Sequence, residues 1–415
     1  MRINKSLFYI IPILIFFLTE ALFIPYPYDV ERTSYHDFLL IASKTLPFGA
    51  MVFVLINLWK LRKSYFILCA IPVLYIGYLV FESLFFYNSY FKFPHVGLKI
   101  MDLVITCFFF LFFLKRDFKH HNLLMNTIIA ALIMTIMLEP SQISIAAFVN
   151  HDRGIPSSSV YLLLLPCLYF FNQYIVGLRQ IDLFRFFLLF VFIIFAQHRT
   201  VWVAMGASFL FNFYLLNKQG KLRVNKAVSG FIPIGITIFF VVSTVLTYLP
   251  DVVDKIDQNI DQILNPDKQG STSEWRLEQF RSYIPFIKEH FLEGMRLKGF
   301  ELPIQFYNPN TSLVEWAPGT GHHFHSFYFD KLFYFGLIGF ILFLIYMIRP
   351  IYRALSQKLE FTHKDICFIS FVFSGFIYGL GYNLPTHFFV ILGISMAVVE
   401  KAINQQKYAN PIMYS

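Results

Sequence analysis

Long, almost continuously apolar runs alternate along this chain with short polar joints, many of them basic. The runs are Leu7 to Ile24, Phe38 to Trp59, Phe66 to Phe86, Val96 to Leu114, Leu123 to Leu138 and Ser159 to Gly177, then Ile181 to Phe195, Thr200 to Leu216, Ala227 to Tyr248, Ser326 to Ile348, Ile366 to Asn383 and Phe388 to Glu400. Most approach the roughly 20 residues that an α-helix needs to cross a bilayer core of about 30 Å. Strands of a membrane barrel would alternate apolar with polar positions, whereas these runs are apolar on every face. The pattern predicts an all-α, polytopic transmembrane bundle of about 12 helices, one integral membrane domain over residues 1–415, with the seventh and the last span short.

Composition excludes an ordinary soluble domain, since 57% of the 415 residues are apolar, 20% aromatic and only 14% charged, with a mean hydropathy of +0.59. The basic residues concentrate in every second joint: Lys60-Leu61-Arg62-Lys63, Lys115-Arg116-Asp117-Phe118-Lys119, Arg179 with Arg185, Lys218 to Lys226, and Arg349 to Lys364. Short basic loops stay cytoplasmic, which places both termini inside and makes the net charge of +9 mainly an orientation signal. Affinity for membrane lipids follows from it, and no nucleic acid partner is expected. The first run is long and has no small-residue cleavage site, so an uncleaved anchor is predicted. Cys69, Cys107, Cys167 and Cys367 all fall inside spans without C-x-x-C spacing, which argues against disulfides and zinc knuckles. No Walker loop, glycine fingerprint after a strand, or H-E-x-x-H motif is present, so no cofactor is expected.

One large hydrophilic block, residues 250–325, lies between the ninth and tenth spans, on the outer side by the same charge rule. Val253, Ile256, Ile260 and Ile263 recur at helical spacing, and Ser271-Thr272-Ser273-Glu274 reads as a capping box ahead of Trp275, Phe280, Ile284, Ile287 and Phe291. Two amphipathic helices are therefore predicted in this loop. A turn-rich stretch then leads to Gly321-His322-His323-Phe324-His325-Ser326, followed after nine residues by Gly336-Leu337-Ile338-Gly339. Three nearby imidazoles suit a metal, but adjacent side chains at 322 and 323 point apart in extended chain and no external carboxylate stands at ligand spacing, so no metal is expected. Gly336 and Gly339, three apart, read as a face that lets another helix approach closely.

The order His-Ser, nine residues, Gly, two residues, Gly resembles the signature of the bacterial O-antigen ligase and O-antigen polymerase superfamily. Gln197-His198-Arg199-Thr200, on a short turn between two spans, resembles that family's arginine-bearing turn, and Trp275-Arg276 resembles the arginine opening its large periplasmic loop. The resemblance implies a bacterial inner-membrane glycosyltransferase whose active site faces the periplasm. Its donor would be a glycan on undecaprenyl pyrophosphate and its acceptor a hydroxyl, as on lipid A-core in lipopolysaccharide assembly. A polymerase joining carrier-linked repeats shares the donor chemistry, although the spacing from the histidine to the two arginines is closer to the ligase pattern.

That chemistry asks for particular groups. A departing pyrophosphate gathers negative charge, which planar guanidinium meets in a fork better than ammonium does. Arg199 and Arg276 fit, with Arg281 in reserve. The attacking hydroxyl gives up a proton, for which imidazole is the common acceptor; His325 fits, and His322, His323 and Asp330 stand as secondary candidates. The donor is already activated, so neither metal nor ATP is demanded, and direct displacement inverts the anomeric centre. Blander roles compete: Arg199 as an interfacial anchor, Arg276 as a solvated loop residue, the histidines as interfacial side chains. Glu20, Lys44, Glu82, Lys99, Asp102, Asp330 and Lys331 fall within apolar runs, where a charge costs about 2.5 to 3.5 kcal/mol on insertion scales and so calls for a partner or a task. Asp330 is placed to orient His325 or to pair with Lys331, and Glu20 with Lys44. An ion pathway is the other use, and with it a lipid-saccharide transporter, although no internal repeat of the kind such proteins carry is visible.

Overall fold

A computed structural model describes residues 5–18, 34–138, 140, 144–149, 155–222, 250–265, 274–307, 321–322 and 324–409. The predicted ninth span, the capping-box residues 271–273, His323 and Glu20 lie outside these residues, as does the side chain of Lys44. Among the described residues all regular structure is helical. In chain order the helices are α1 (Ile11–Leu18), α2 (Ser34–Leu58), α3 (Lys63–Tyr87), α4 (Pro94–Leu114), α5 (His121–Leu138), α6 (Ile145–Val149), α7 (Ser157–Gly177) and α8 (Gln180–Phe195). They continue as α9 (Arg199–Lys218), α10 (Pro250–Leu264), α11 (Glu274–Glu289), α12 (Lys298–Glu301), α13 (Phe327–Ser356), α14 (His363–Gly381) and α15 (Thr386–Ala409).

Seven of these are long and apolar enough to cross a membrane: α3, α4, α7, α9, α13, α14 and the Thr386–Gln406 part of α15. Phe8–Phe17, Thr45–Leu58 and His121–Met137 are shorter apolar helices. The last span, expected to end at Glu400, runs on to Ala409, because Lys401 to Lys407 are mostly good helix formers despite their polarity.

The chain divides into two compact units. The first comprises Met1–Thr33, Asp117–Asn265 and Lys358–Ile377. Its centre is α7, buried from Ser159 to Ile175. A helix buried on all sides still needs its polar atoms satisfied, and they are. Asn172 and Asn212 exchange side-chain hydrogen bonds at 3.0 and 2.6 Å, and Tyr161 meets Ser374 at 2.9 Å.

The second unit comprises Ser34–Arg116, Pro266–Gln357 and Tyr378–Ser415. α4 and α15 approach so closely that a Cβ on Gly393 would lie 2.5 Å from the carbonyl oxygen of Thr106. Intramembrane charges pair here: Lys99 of α4 with Asp330 of α13 at 2.5 Å, Lys331 with Asp102 at 3.9 Å, and Glu82 of α3 with Arg296 at 2.9 Å. Asp330 also lies 3.5 Å from Lys331, the pairing expected from sequence, while its closer partner, Lys99, stands on another helix.

α13 is interrupted at Gly336, whose φ of 60° and ψ of −164° lie where side chains are excluded. In an unbroken helix the amides of Leu337 and Ile338 would donate to the carbonyls of Phe333 and Tyr334. Here they donate to Phe291 and Leu292 at 2.8 and 3.2 Å, while Phe333 and Tyr334 accept from the amides of Met295 and Arg296, both at 2.8 Å. A turn of the loop is thus spliced into the helix, and these four backbone groups regain partners across the break. The glycine predicted to admit a neighbouring helix admits this turn instead, because a Cβ at 336 would lie 2.5 Å from the Gly294 nitrogen and one at 294 would lie 2.4 Å from the Gly336 nitrogen. Gly336→Ala is expected to cost about 3 kcal/mol of stability, from the excluded backbone region together with that collision. Thermal unfolding of the purified protein checks it, with Gly97→Ala as the control, since nothing lies within 4 Å of a Cβ there; equal melting of the two variants would contradict the splice.

Candidate functional site

In the second unit, α11 lies on the opening turns of α13. Its buried positions are Trp275, Gln279, Tyr283 and Ile287, each four residues after the last. The stripe expected from sequence differs, because Phe280 and Phe291 are 38% and 47% exposed. A strict i, i+4 row forms a ridge along a helix, and here it seats a glutamine and a tyrosine that apolar counting passes over. Phe280 and Tyr283 meet α13 through Phe329 (4.4 Å) and Phe333 (5.6 Å) between ring centroids.

That placement brings Arg276 and His325 to the same pair of aromatic rings. The His325 imidazole stands edge-on to Trp275 with centroids 4.9 Å apart, and it lies 6.3 Å from the Tyr382 ring. The Arg276 guanidinium carbon is 5.6 Å from the Trp275 centroid and 5.0 Å from that of Tyr382, within cation–π range. Its Nε is buried and has no hydrogen-bond partner among the described residues. Arg281, five positions along the helix, is exposed.

The backbone carrying His325 is held from α14 and the joint after it. Asn383 Nδ2 donates to the carbonyl of Phe324 at 2.8 Å, the Phe327 amide to that of Tyr382 at 3.3 Å, and the Ser326 hydroxyl to that of Gly379 at 3.3 Å. Ser326 also caps α13, accepting from the Phe329 amide at 3.5 Å. The serine of the His-Ser pair thus fixes where the helix begins. Tyr382 and Asn383 carry no signal in sequence beyond marking the end of an apolar run.

His322 is engaged on both nitrogens. Nε2 faces the Leu302 carbonyl at 2.7 Å, which only accepts, so Nε2 carries the proton and Nδ1 accepts from the Tyr283 hydroxyl at 2.9 Å. Tyr283 in turn accepts from the Gln305 amide at 3.2 Å, and Tyr334 bridges the His322 amide and carbonyl at 2.8 and 3.0 Å. This is a structural knot of the loop, and it leaves His322 no nitrogen for catalysis or for a ligand. Burial holds its pKa below the ordinary value, with partial compensation from Leu302, and burial pushes the Tyr283 hydroxyl up to about 12.

Because the imidazole is harder to protonate in the folded loop than in the unfolded chain, this stabilisation is complete above about pH 6.5 and declines as pH falls below it. Protection against amide exchange across residues 283–305, corrected for the base-catalysed intrinsic rate, is expected to be lower at pH 5.5 than at pH 7.5. Protection independent of pH in His322's own neighbourhood would contradict the neutral network.

Arg199 belongs to the first unit, as the opening residue of α9, and is half-buried. The turn before it is built rather than merely connecting. Gln197 adopts φ of 55°, its side chain donates to the Phe148 carbonyl at 2.5 Å, and it accepts from Asn259 at 3.2 Å. His198 Nε2 donates to the Ile155 carbonyl at 2.9 Å. Asn259 is accordingly a buried position of α10, while Ile260, predicted for the apolar face, is 45% exposed. His198, the residue before α9, makes no capping side-chain bond among the described residues, so the N-terminal dipole of the helix adds to the charge of Arg199 in favour of an anion.

Residues 184–344 match the family model of the O-antigen ligases. The matched span contains Arg199, Arg276, Arg281, His325, Gly336 and Gly339, in keeping with the resemblance to the O-antigen ligase and polymerase superfamily. No curated protein matches the chain.

Proposed function

We propose that the chain is a membrane glycosyltransferase of the O-antigen ligase type, transferring a glycan from undecaprenyl pyrophosphate to a hydroxyl acceptor such as lipid A-core. The observation that carries this reading is the meeting of Arg276 and His325 on Trp275 and Tyr382. A buried guanidinium N–H without an acceptor costs about 1–3 kcal/mol, which an incoming phosphate oxygen offsets.

In the proposed step the acceptor oxygen attacks the anomeric carbon and the carbon–oxygen bond to pyrophosphate breaks. The hydroxyl proton passes to His325 while the released pyrophosphate carries away the electron pair. Attack opposite the leaving group inverts the anomeric centre. Arg276 meets the growing phosphate charge, an effect that is largest when donors are fixed before the reaction begins. The splice at Gly336 and the His322 knot supply that fixity, since together they tie α11 and the chain after it to α13. From the sequence resemblance alone, Arg199 is proposed to contact phosphate of the donor, and Arg199→Ala is expected to slow transfer by about 10²- to 10³-fold, the loss typical of one preorganised donor. Transfer at the wild-type rate would return Arg199 to the role of a helix-terminal anchor.

Bacterial inner-membrane insertion with the loop on the periplasmic side is part of the same proposal, supported by the alternation of basic joints. The deciding experiment supplies purified protein with a carrier-linked glycan and offers lipid A-core and a second carrier-linked unit as competing acceptors. Transfer to lipid A-core supports the ligase and transfer to the carrier-linked unit a polymerase. Vectorial movement of the donor across a vesicle membrane without bond formation would replace both with a transporter.

A further inference from the structure

At the end of α13 away from His325, Arg349 and Arg353 both reach Glu400 of α15. Arg349 Nη2 lies 3.0 Å from Oε1, Arg353 Nη1 bonds the same oxygen, and Tyr65 of α3 donates to Oε2 at 3.0 Å. Glu400 is 4% exposed, so a buried carboxylate here is fully paired. The positive charge is not. Arg62, at the start of α3, makes one long side-chain contact of 3.5 Å to Asn404 and has no carboxylate partner among the described residues. Arg349 Nε is buried without a hydrogen-bond partner among the described residues. A cavity of about 250 Å³ is lined by Arg62, Arg353 and Glu400 together with Ser64, Gln357 and Asn404, so its wall carries a surplus of one positive charge, to which Arg349, bonded to Glu400 but not part of that wall, adds a second.

We infer that this cavity binds the phosphate of an anionic phospholipid headgroup. Guanidinium groups with hydroxyl and amide donors between them match a phosphodiester, which accepts in several directions at once. The exposed aromatic and apolar side chains beside the cavity favour a lipid over a dissolved anion. Trp59, just ahead of Arg62, is 85% exposed, and Tyr352, next to Arg353, is 65% exposed, as aromatic side chains are at headgroup level. Ile56, Ile345 and Ile348, exposed by 62%, 50% and 46%, continue from them along α2 and α13 as a surface for acyl chains. The site lies at the opposite end of α13 from His325 and does not depend on the transfer reaction.

The test is native mass spectrometry of the full chain released from detergent, titrated with phosphatidylglycerol or phosphatidylcholine, with inorganic phosphate as a third arm. Wild-type protein is expected to retain phosphatidylglycerol in preference. Arg62→Gln, on an exposed turn and bound to no carboxylate, is expected to weaken that binding about fivefold, the effect of one basic residue at an anionic surface, and Arg62→Lys to restore most of it. Equal retention of the two lipids, or an unchanged Arg62→Gln variant, overturns the proposal and leaves the arginines as a knot joining α3, α13 and α15. Displacement of the lipid by millimolar inorganic phosphate also overturns it, in favour of a free-anion pocket.

Discussion

Alanine in place of His325 is expected to slow glycan transfer by about 10²- to 10⁴-fold, the usual contribution of a positioned general base, while capture of the carrier-linked donor stays intact. The separation of the two effects follows from the geometry. What positions residue 325 is backbone: the Phe324 carbonyl on Asn383, the Phe327 amide on Tyr382 and the Ser326 cap. None of these needs the imidazole, so the substitution removes a proton acceptor and the ring contacts with Trp275 and Tyr382 without releasing α13. His322→Ala provides the contrast. It breaks contacts to Tyr283 and Leu302 and is expected to lower stability with donor capture and transfer falling together. Single-turnover transfer and donor binding measured on both variants decide the matter. A His325→Ala enzyme that transfers at the wild-type rate eliminates the base, and one that merely unfolds sooner makes His325 another structural histidine.

The two histidines show what is legible in sequence and what is not. Seven apolar spans, the presence of helices α10 and α11 and the His-Ser start of α13 follow from patterns that act over a few residues and leave a local mark, whereas the buried faces of α10 and α11 do not. Which nitrogen faces a carbonyl is a matter of chain segments far apart in sequence, so His322 and His325 look alike until Leu302 and Tyr283 are seen around the first. The intramembrane charges behave similarly. Their cost is readable from hydropathy, but Asp330 is paired with Lys99, 231 positions away, rather than principally with a neighbour on its own helix. Gly336 was legible as structural and misread in kind. A glycine that breaks a helix and one that admits a neighbouring helix look identical when the inserted turn, Phe291 to Arg296, comes from forty residues upstream. Gln279 and Asn259 were passed over because amphipathic counting assigns amides to water, whereas here each occupies the buried face of its helix.

Arg276→Ala is expected to reduce transfer by about 10²- to 10³-fold, and Arg276→Lys to recover little of it, because an ammonium delivers a point charge where a fork of N–H donors is needed. The phosphate charge grows as the bond breaks, so the loss should appear in kcat more than in donor affinity. A structural role predicts otherwise. The cation–π contacts with Trp275 and Tyr382 contribute roughly 0.5–1 kcal/mol each at an accessible position, and losing them would lower stability with little change in kcat. Lysine keeps charge over those rings, so a wild-type rate in Arg276→Lys would show that charge suffices and would dismiss the fork. Arg281 gives the internal comparison. It is exposed and five positions along the helix, which turns it well away from Arg276's side, so Arg281→Ala is expected to transfer within about threefold of wild type. Should the large loss fall on Arg281 instead, the phosphate contact belongs to the solvent face of α11, and the grouping of Arg276 with His325 on Trp275 and Tyr382 would be packing alone.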